Sequence, residues 1–351
     1  MARRAPLPLG GRTLVLGNDT LHSSGGGVEC RVSGSSDAPT PAACRYRYWK
    51  RAVPRIPDDI LDSVIYLYPT REDAEAGEPI GGSGFLVVIP YEDPSQGTGL
   101  WDGSLPGDRY AVTNQHVAFG ESDAHVIRLN TQDGQTHILE TDPGDWHRHP
   151  DGDDLAVCPL ELDPGLLKIA AIPTYTFIRE DYSADEYGSP GPGDEVFFVG
   201  RFVTHEGKQT NRPTARFGNI SMYPAEPVPS PTGITQESFL VEARSLSGYS
   251  GSPVIVYNIA GGIATPYKGL LDRPRQALLG VDWCHLRNRQ PVLEKDLKTE
   301  TGQFVLDNTG LMGVVPAWKI LDLLAIDDLR EMREKGREAR HKTLDSSPES
   351  V

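Results

Sequence analysis

Residues 247–256 read SGYSGSPVIV: a serine, Ser250, stands between Gly248 and Gly251 and runs directly into the β-forming stretch Val254 to Val256. Glycines at such positions admit backbone angles closed to other residues and let a second backbone come near. A serine on so tight a turn projects its hydroxyl, while its own N–H and that of Gly248 can converge on one point. Acyl transfer needs that pairing of nucleophile and oxyanion hole. Gly-x-Ser-Gly alone is common in loops, so the chemistry depends on partners elsewhere in the chain.

A hydroxyl attacks well only when a base takes its proton, and neutral imidazole does this near pH 7. His116, in TNQHV (113–117) at the end of a strand signal, is the candidate base. A carboxylate must then fix the imidazole tautomer and stabilise imidazolium. Asp154, in DDLAV (153–157) at the mouth of an apolar strand, is the candidate. Taken singly, each has an ordinary reading, a histidine after a strand and an aspartate in a turn. The three occur in the order His, Asp, Ser, each at the edge of a β segment, and the combination points to nucleophilic hydrolysis.

Around these segments β signals dominate. SVIYLY (63–68), GSGFLVVI (82–89), YAVTN (110–114), HVIRL (125–129) and LAVCPL (155–160) come first. EVFFVG (195–200), FGNISMY (217–223), SFLVEA (238–243), PVIVYN (253–258) and ALLGVDW (277–283) follow. Gly, Pro and Asp separate them, which predicts an all-β sandwich or barrel. Near the end, Ala317, Ile320, Leu321 and Leu324 fall at helical spacing behind Pro316, which is suited to a first-turn position. A charge-laced stretch from about Asp327 to Arg340 predicts a second, solvated helix.

The chain has 351 residues, 38% of them hydrophobic and 24% charged, which fits a globular protein with a substantial core. Its net charge of −15 argues against wrapping nucleic acid. No apolar run approaches the length of about eighteen residues that a membrane helix needs, so no membrane partner is expected. Charge is uneven: residues 1–56 hold nine basic and three acidic side chains, a basic arm before an acidic body. The arm is rich in Gly, Ser and Pro and is expected to pack poorly. Cys30, Cys44, Cys158 and Cys284 are few and widely spaced, so neither a disulfide scaffold nor a structural zinc site is expected. With no apolar leader segment, a cytoplasmic location is expected. His147, His149, Asp151 and Asp153 have metal-ligating chemistry but read more simply as a polar loop, and no metal or cofactor is expected. Cys158 reads as a buried small hydrophobe, and Cys284 as a candidate redox-sensitive thiol.

GSGFLVV followed by VTNQHV, then DLAV, then GDEVFFVG with FGNIS, then GYSGSPVIV and the terminal GVVPAWKILDLL together resemble the trypsin-like (chymotrypsin-fold) serine peptidases. The resemblance is nearest to the bacterial, HtrA-like branch and runs from about Ile56 to Leu324, with no PDZ module following. It implies two antiparallel β-barrels and a C-terminal helix, with the active site in the cleft between barrels. The first barrel would span about 56–162, the second about 163–315 and the closing helix 316–325. Residues 1–55 would be an arm and 326–351 a charged extension, either of which could meet a regulatory partner. The roles implied are Ser250 as nucleophile, His116 as general base then acid, and Asp154 as orienter. Gly248 and Ser250 N–H groups would form the oxyanion hole, and the substrate would be a protein or peptide. Val281-Asp282-Trp283 resembles the strand that pairs with substrate backbone, and Arg244 falls where the pocket-floor residue lies, so Arg244, Asp282 and Trp283 are the substrate-binding candidates. The alternative is a latent or degenerate peptidase that holds peptides as a regulatory module.

Two departures bear on mechanism. Tyr249 stands where the secreted digestive branch has an aspartate that receives a new N-terminus, so activation by clipping and insertion is not expected. Asp282 stands where a serine is usual. A second carboxylate near Asp154 would raise the pKa of one of the pair, so either the register of the resemblance is off by one or two residues or water solvates the second charge.

Overall fold

A computed structural model describes residues 56–92, 105–120, 123–180, 190–202, 207, 209–224, 226–229, 233, 235–243, 248–257, 276–294 and 300–345. The expected arm at 1–55 lies outside them.

Two antiparallel sheets follow one another along the chain. The first is built from β1 (Val64–Tyr68), β2 (Gly82–Pro90), β3 (Gly107–Thr113), β4 (Val126–Asn130), β5 (Thr136–Glu140), β6 (His147–Arg148) and β7 (Ala156–Leu160). Its spatial order is β5-β4-β1-β2-β3-β7-β6, and β8 (Ile172–Pro173) adds in parallel to β2. A short piece beyond residue 162 thus still pairs with the first sheet.

The second sheet closes on itself. It contains β9 (Glu195–Gly200), β10 (Thr214–Met222), β13 (Phe239–Glu242), β14 (Pro253–Val256), β15 (Ala277–Leu293) and β16 (Glu300–Pro316), with β11 (Val228–Pro229) and β12 (Thr235–Gln236) as a separate pair. The ring runs β10-β13-β16-β15-β14-β9. The pair of antiparallel barrels expected from the sequence is present, with closure among the described strands complete only in the second. Closing a sheet removes the unpaired edges that would otherwise recruit other chains.

Apolar residues fall into three clusters. One lines the first sheet, with Ile65, Leu86, Ala111 and Cys158. One fills the second, with Phe198, Val241, Val254 and Leu279. The third joins the two, setting Tyr66, Phe85 and Val112 with Phe197, Ile255 and Val281. Each fully buried side chain of this size contributes about 1.5–3 kcal/mol, so the shared cluster fixes one sheet against the other.

A helix, Ala317–Leu324, closes the second sheet and buries Trp318, Ile320, Leu323 and Leu324. Pro316 occupies its N-cap, one position earlier than its first-turn preference suggests. The following helix, Asp327–Asp345, is docked and not simply solvated. Leu329 is fully buried, and Arg333 donates to the Tyr110 hydroxyl at 3.0 Å and the Leu324 carbonyl at 2.8 Å. Arg340 reaches Asp108 at 3.2 Å. No helix among the described residues is long and apolar enough to cross a membrane.

Candidate active site

Asp154 sits just before β7 with its side chain only 2% exposed. Both its carboxylate oxygens face His116: Oδ1 accepts from the His116 backbone N–H at 2.8 Å, and Oδ2 lies 2.5 Å from Nδ1. The Asp154 main chain is also gripped. Its carbonyl accepts from Asn114 Nδ2 at 2.9 Å, and its N–H donates to Gln236 Oε1 at 2.6 Å. His116 lies in a single helical turn, Gln115–Phe119, that begins where β3 ends. With one ring nitrogen held by a carboxylate and the side chain 42% exposed, the other ring edge is open. That geometry holds the imidazole by one ring nitrogen and leaves the rest of the ring accessible.

The Ser250 turn is bound to the first sheet through Ser83. Ser83 N–H donates to the Ser250 carbonyl at 2.9 Å, and Ser83 Oγ donates to the Gly248 carbonyl at 2.6 Å. The same hydroxyl accepts from Arg201 N–H at 2.8 Å, and the Ser83 carbonyl accepts from Thr113 Oγ1 at 2.7 Å. Thr113 ends the strand that leads to His116. A Cβ on Gly82 would stand 2.8 Å from Val117 Cγ1 and 3.3 Å from the Ser250 carbonyl. The Gly82-Ser83 dipeptide is thus the common floor under the His116 turn and the Ser250 turn.

Gly248 and Gly251 have φ of +96° and +87°, which the sequence reading required of them. Ser252 N–H donates to the Tyr249 carbonyl at 2.8 Å, closing the turn around Ser250. No backbone carbonyl among the described residues accepts from the N–H of Gly248 or Ser250. Tyr249 is fully buried, edge-on to Phe198 with ring centroids 5.3 Å apart, and its hydroxyl pairs with Thr214. Its side chain serves the second core and leaves the cleft free. Among the described residues no hydrogen bond joins the Ser250 hydroxyl to the His116 ring; without substrate such contacts are commonly long.

Asp282 and Trp283 differ from expectation. Asp282 is 1% exposed, so water does not solvate it. Its N–H donates to the Ser252 carbonyl at 3.0 Å and its carbonyl accepts from Gly251 at 2.8 Å, which braces the Ser250 turn. Trp283 is 3% exposed and donates through Nε1 to Ser238 Oγ at 2.9 Å, so its ring belongs to the core. Arg244 lies outside the described residues.

Burial, with Asp282 and Asp154 nearby, pushes the Cys284 thiol up to about 12, against the expected redox sensitivity, since the reactive form is thiolate. Burial likewise pushes Cys158 up to about 12. His149 is buried beside Asp153, Nδ1 to Oδ2 3.2 Å, and Lys319 reaches the same carboxylate at 3.2 Å. Sequence reasoning missed Ser83, Thr113 and Gln236. Ser83 lay within the quoted GSG, but nothing in the pattern marks a hydroxyl as a junction.

Among solved structures, the chain is similar to the MamO protease domain of Magnetospirillum magneticum, at 16% identity over 75% of this chain and 96% of that one, with a TM-score of 0.39. It is similar to Deg5 at 21% identity, over 65% and 81% of the two chains, with a TM-score of 0.33. For the HtrA-type protease AlgW with a decapeptide the values are 16%, 78% and 67%, with a TM-score of 0.36. No protein-family model matches the chain. No curated protein matches it either.

Proposed function

We propose that the chain is a serine endopeptidase. The carrying observation is the His116–Asp154 pair, with both carboxylate oxygens engaged, on the same Gly82-Ser83 floor that anchors the Ser250 turn. Ser250 Oγ attacks the scissile carbonyl carbon while His116 Nε2 takes its proton. The tetrahedral oxyanion is received by the Gly248 and Ser250 N–H groups. The carbon–nitrogen bond breaks, and His116 passes the proton to the leaving amine. Water, deprotonated by His116, then hydrolyses the acyl-serine, and the proton returns to Ser250. Asp154 stays ionised throughout and holds imidazolium in place.

A fluorophosphonate probe tests this directly. Wild type labels at Ser250, Ser250→Ala does not, and peptide turnover falls by roughly 10⁴-fold or more in that variant. A folded wild type that binds peptides but never labels at Ser250 would identify a binding module instead.

A further inference from the structure

β15 does not stop at the barrel wall. Beyond His285 and Met312 it continues with β16 as a two-stranded ribbon, pairing Arg287 with Asn308, Asn288 with Asp307, Arg289 with Leu306, Gln290 with Val305 and Pro291 with Phe304. Successive strand residues face opposite sides. Arg287, Arg289 and Pro291 therefore share a face with Phe304, Leu306 and Asn308. The Arg289 guanidinium lies 3.6 Å from the Phe304 ring centroid, as a shared face demands.

This face is not stabilising the fold. Phe304 is 46% exposed and Leu306 62% exposed. A lone two-stranded ribbon is marginal in water, and exposed apolar residues on it invite association. The two arginines stand in a chain of net charge −15, yet neither forms an ion pair among the described residues. Arg287 Nε donates to His285 Nε2 at 3.0 Å and Arg289 rests on Phe304. Guanidinium groups flanked by Phe, Leu and Pro suit carboxylates interleaved with apolar side chains.

The ribbon rises from the strand that braces the proposed nucleophile, because Asp282, five positions before Arg287, holds both Gly251 and Ser252. Residues 287–293 give it a reach of about 20 Å at about 3.3 Å per residue. We propose that this face is an exosite for protein substrates, taking an extended segment rich in acidic and apolar residues to one side of the scissile bond. The proposal rests on the peptidase reading for the meaning of substrate, and its occupant follows from charge complementarity and from the continuity of β15.

The test is fluorescence anisotropy on the full chain carrying Ser250→Ala. The probes are a dodecapeptide of Asp, Glu, Leu and Phe and a matched peptide with Gln replacing the acids. The acidic peptide binds about 10-fold or more tightly, and the preference shrinks as ionic strength rises and screens the charges. Adding Arg287→Glu with Arg289→Glu removes the preference, and Phe304→Ser with Leu306→Ser weakens the binding of both peptides. Equal binding of both peptides, or insensitivity to all four substitutions, overturns the exosite. So does sedimentation in which these substitutions convert a dimer into a monomer, since the face would then serve self-association. Fluorophosphonate labelling of the ribbon variants with Ser250 intact separates the two readings. Labelling persists when the exosite alone is lost, and its absence in wild type refutes the peptidase while leaving the anisotropy result standing.

Discussion

The Gln236 side chain accepts the backbone N–H of Asp154 at 2.6 Å, so a residue of β12 holds the carboxylate that orients His116. Gln236 is 2% exposed, and no water competes for the bond. Replacing it by leucine leaves a buried N–H without an acceptor, at a cost of about 1–3 kcal/mol. Gln236→Leu is expected to lower the unfolding midpoint and to reduce kcat more than it raises KM, because the loss falls on the alignment of Asp154. A fall in stability with kcat untouched would show that Asp154 is adequately held by Asn114 and His116 alone.

Ser83 makes a comparable prediction on the other side of the cleft. Its hydroxyl donates to the Gly248 carbonyl and accepts from Arg201 N–H. Ser83→Ala orphans both groups and frees the Gly248–Tyr249 peptide, which lies between the two N–H groups assigned to the oxyanion hole. One donor of that kind is worth about 10²–10³ in kcat, so a loss approaching that range with little change in KM is expected from steady-state kinetics. Ser83→Thr keeps the hydroxyl and should recover part of the rate.

Gly251→Ala should be the most damaging single-carbon change in the site. The residue has φ +87°, and a Cβ there would stand 2.0 Å from the Ser83 carbonyl oxygen and 2.5 Å from Thr113 Oγ1. One clash is with backbone, and the other with a hydroxyl already bonded to that same carbonyl, so the turn has to move. Fluorophosphonate labelling is expected to fall by about 100-fold or more, as displacements near 1 Å do in positioned sites. Labelling at the wild-type rate would mean that the nucleophile turn is not held against Ser83.

The segments around His116, Asp154 and Ser250 and most strands were legible because their signals are local. Runs such as FLVV and EVFFV carry β-formers, and Gly248-Tyr249-Ser250-Gly251 carries its own turn chemistry. β16 was legible only at its end, in GVVP, because residues 300–310 set one short apolar run, Phe304 to Leu306, between polar stretches and face no core. The docking of Asp327–Asp345 was hidden for a related reason: among many charges, Leu329 and Arg333 give no periodic stripe. The bracing role of Asp282 left no local signal: strand resemblance reveals a position's neighbours along the chain, while the brace depends on the Gly251 N–H and the Ser252 carbonyl, thirty residues earlier. Long-range hydroxyl and amide contacts such as Ser83–Gly248 and Gln236–Asp154 leave no periodic trace at all.

Cys284 and Cys158 should resist alkylation in the folded protein. Burial pushes each thiol up to about 12, with Asp282 adding to the effect at Cys284, so the thiolate fraction near pH 8 is negligible. Mass mapping of iodoacetamide adducts is expected to find both peptides unmodified until denaturant is added. Rapid native labelling at Cys284 would contradict a thiol held protonated by its half-buried position.

His149 gives the stability a defined pH dependence. Burial lowers its pKa below the ordinary value, and the opposing attraction of Asp153 does not restore it. The folded state therefore holds neutral imidazole, while the unfolded chain takes up a proton near the ordinary histidine value of 6.5. Between the depressed folded value and that unfolded value the unfolded state binds more protons, so stability falls as pH falls through this window. The slope from one such group is at most about 1.4 kcal/mol per pH unit. Lys319 sharpens the contrast: burial opposes its charge, but Asp153 and Glu237 outweigh that and raise its pKa, so it stays cationic and keeps its ion pair across the same range. Urea unfolding of wild type between about pH 7.5 and pH 5.5 should lose stability on acidification, and His149→Phe should be less stable at neutral pH but flatter across that window. An unchanged slope in His149→Phe would assign the acid sensitivity to other groups and refute a buried neutral imidazole at this position.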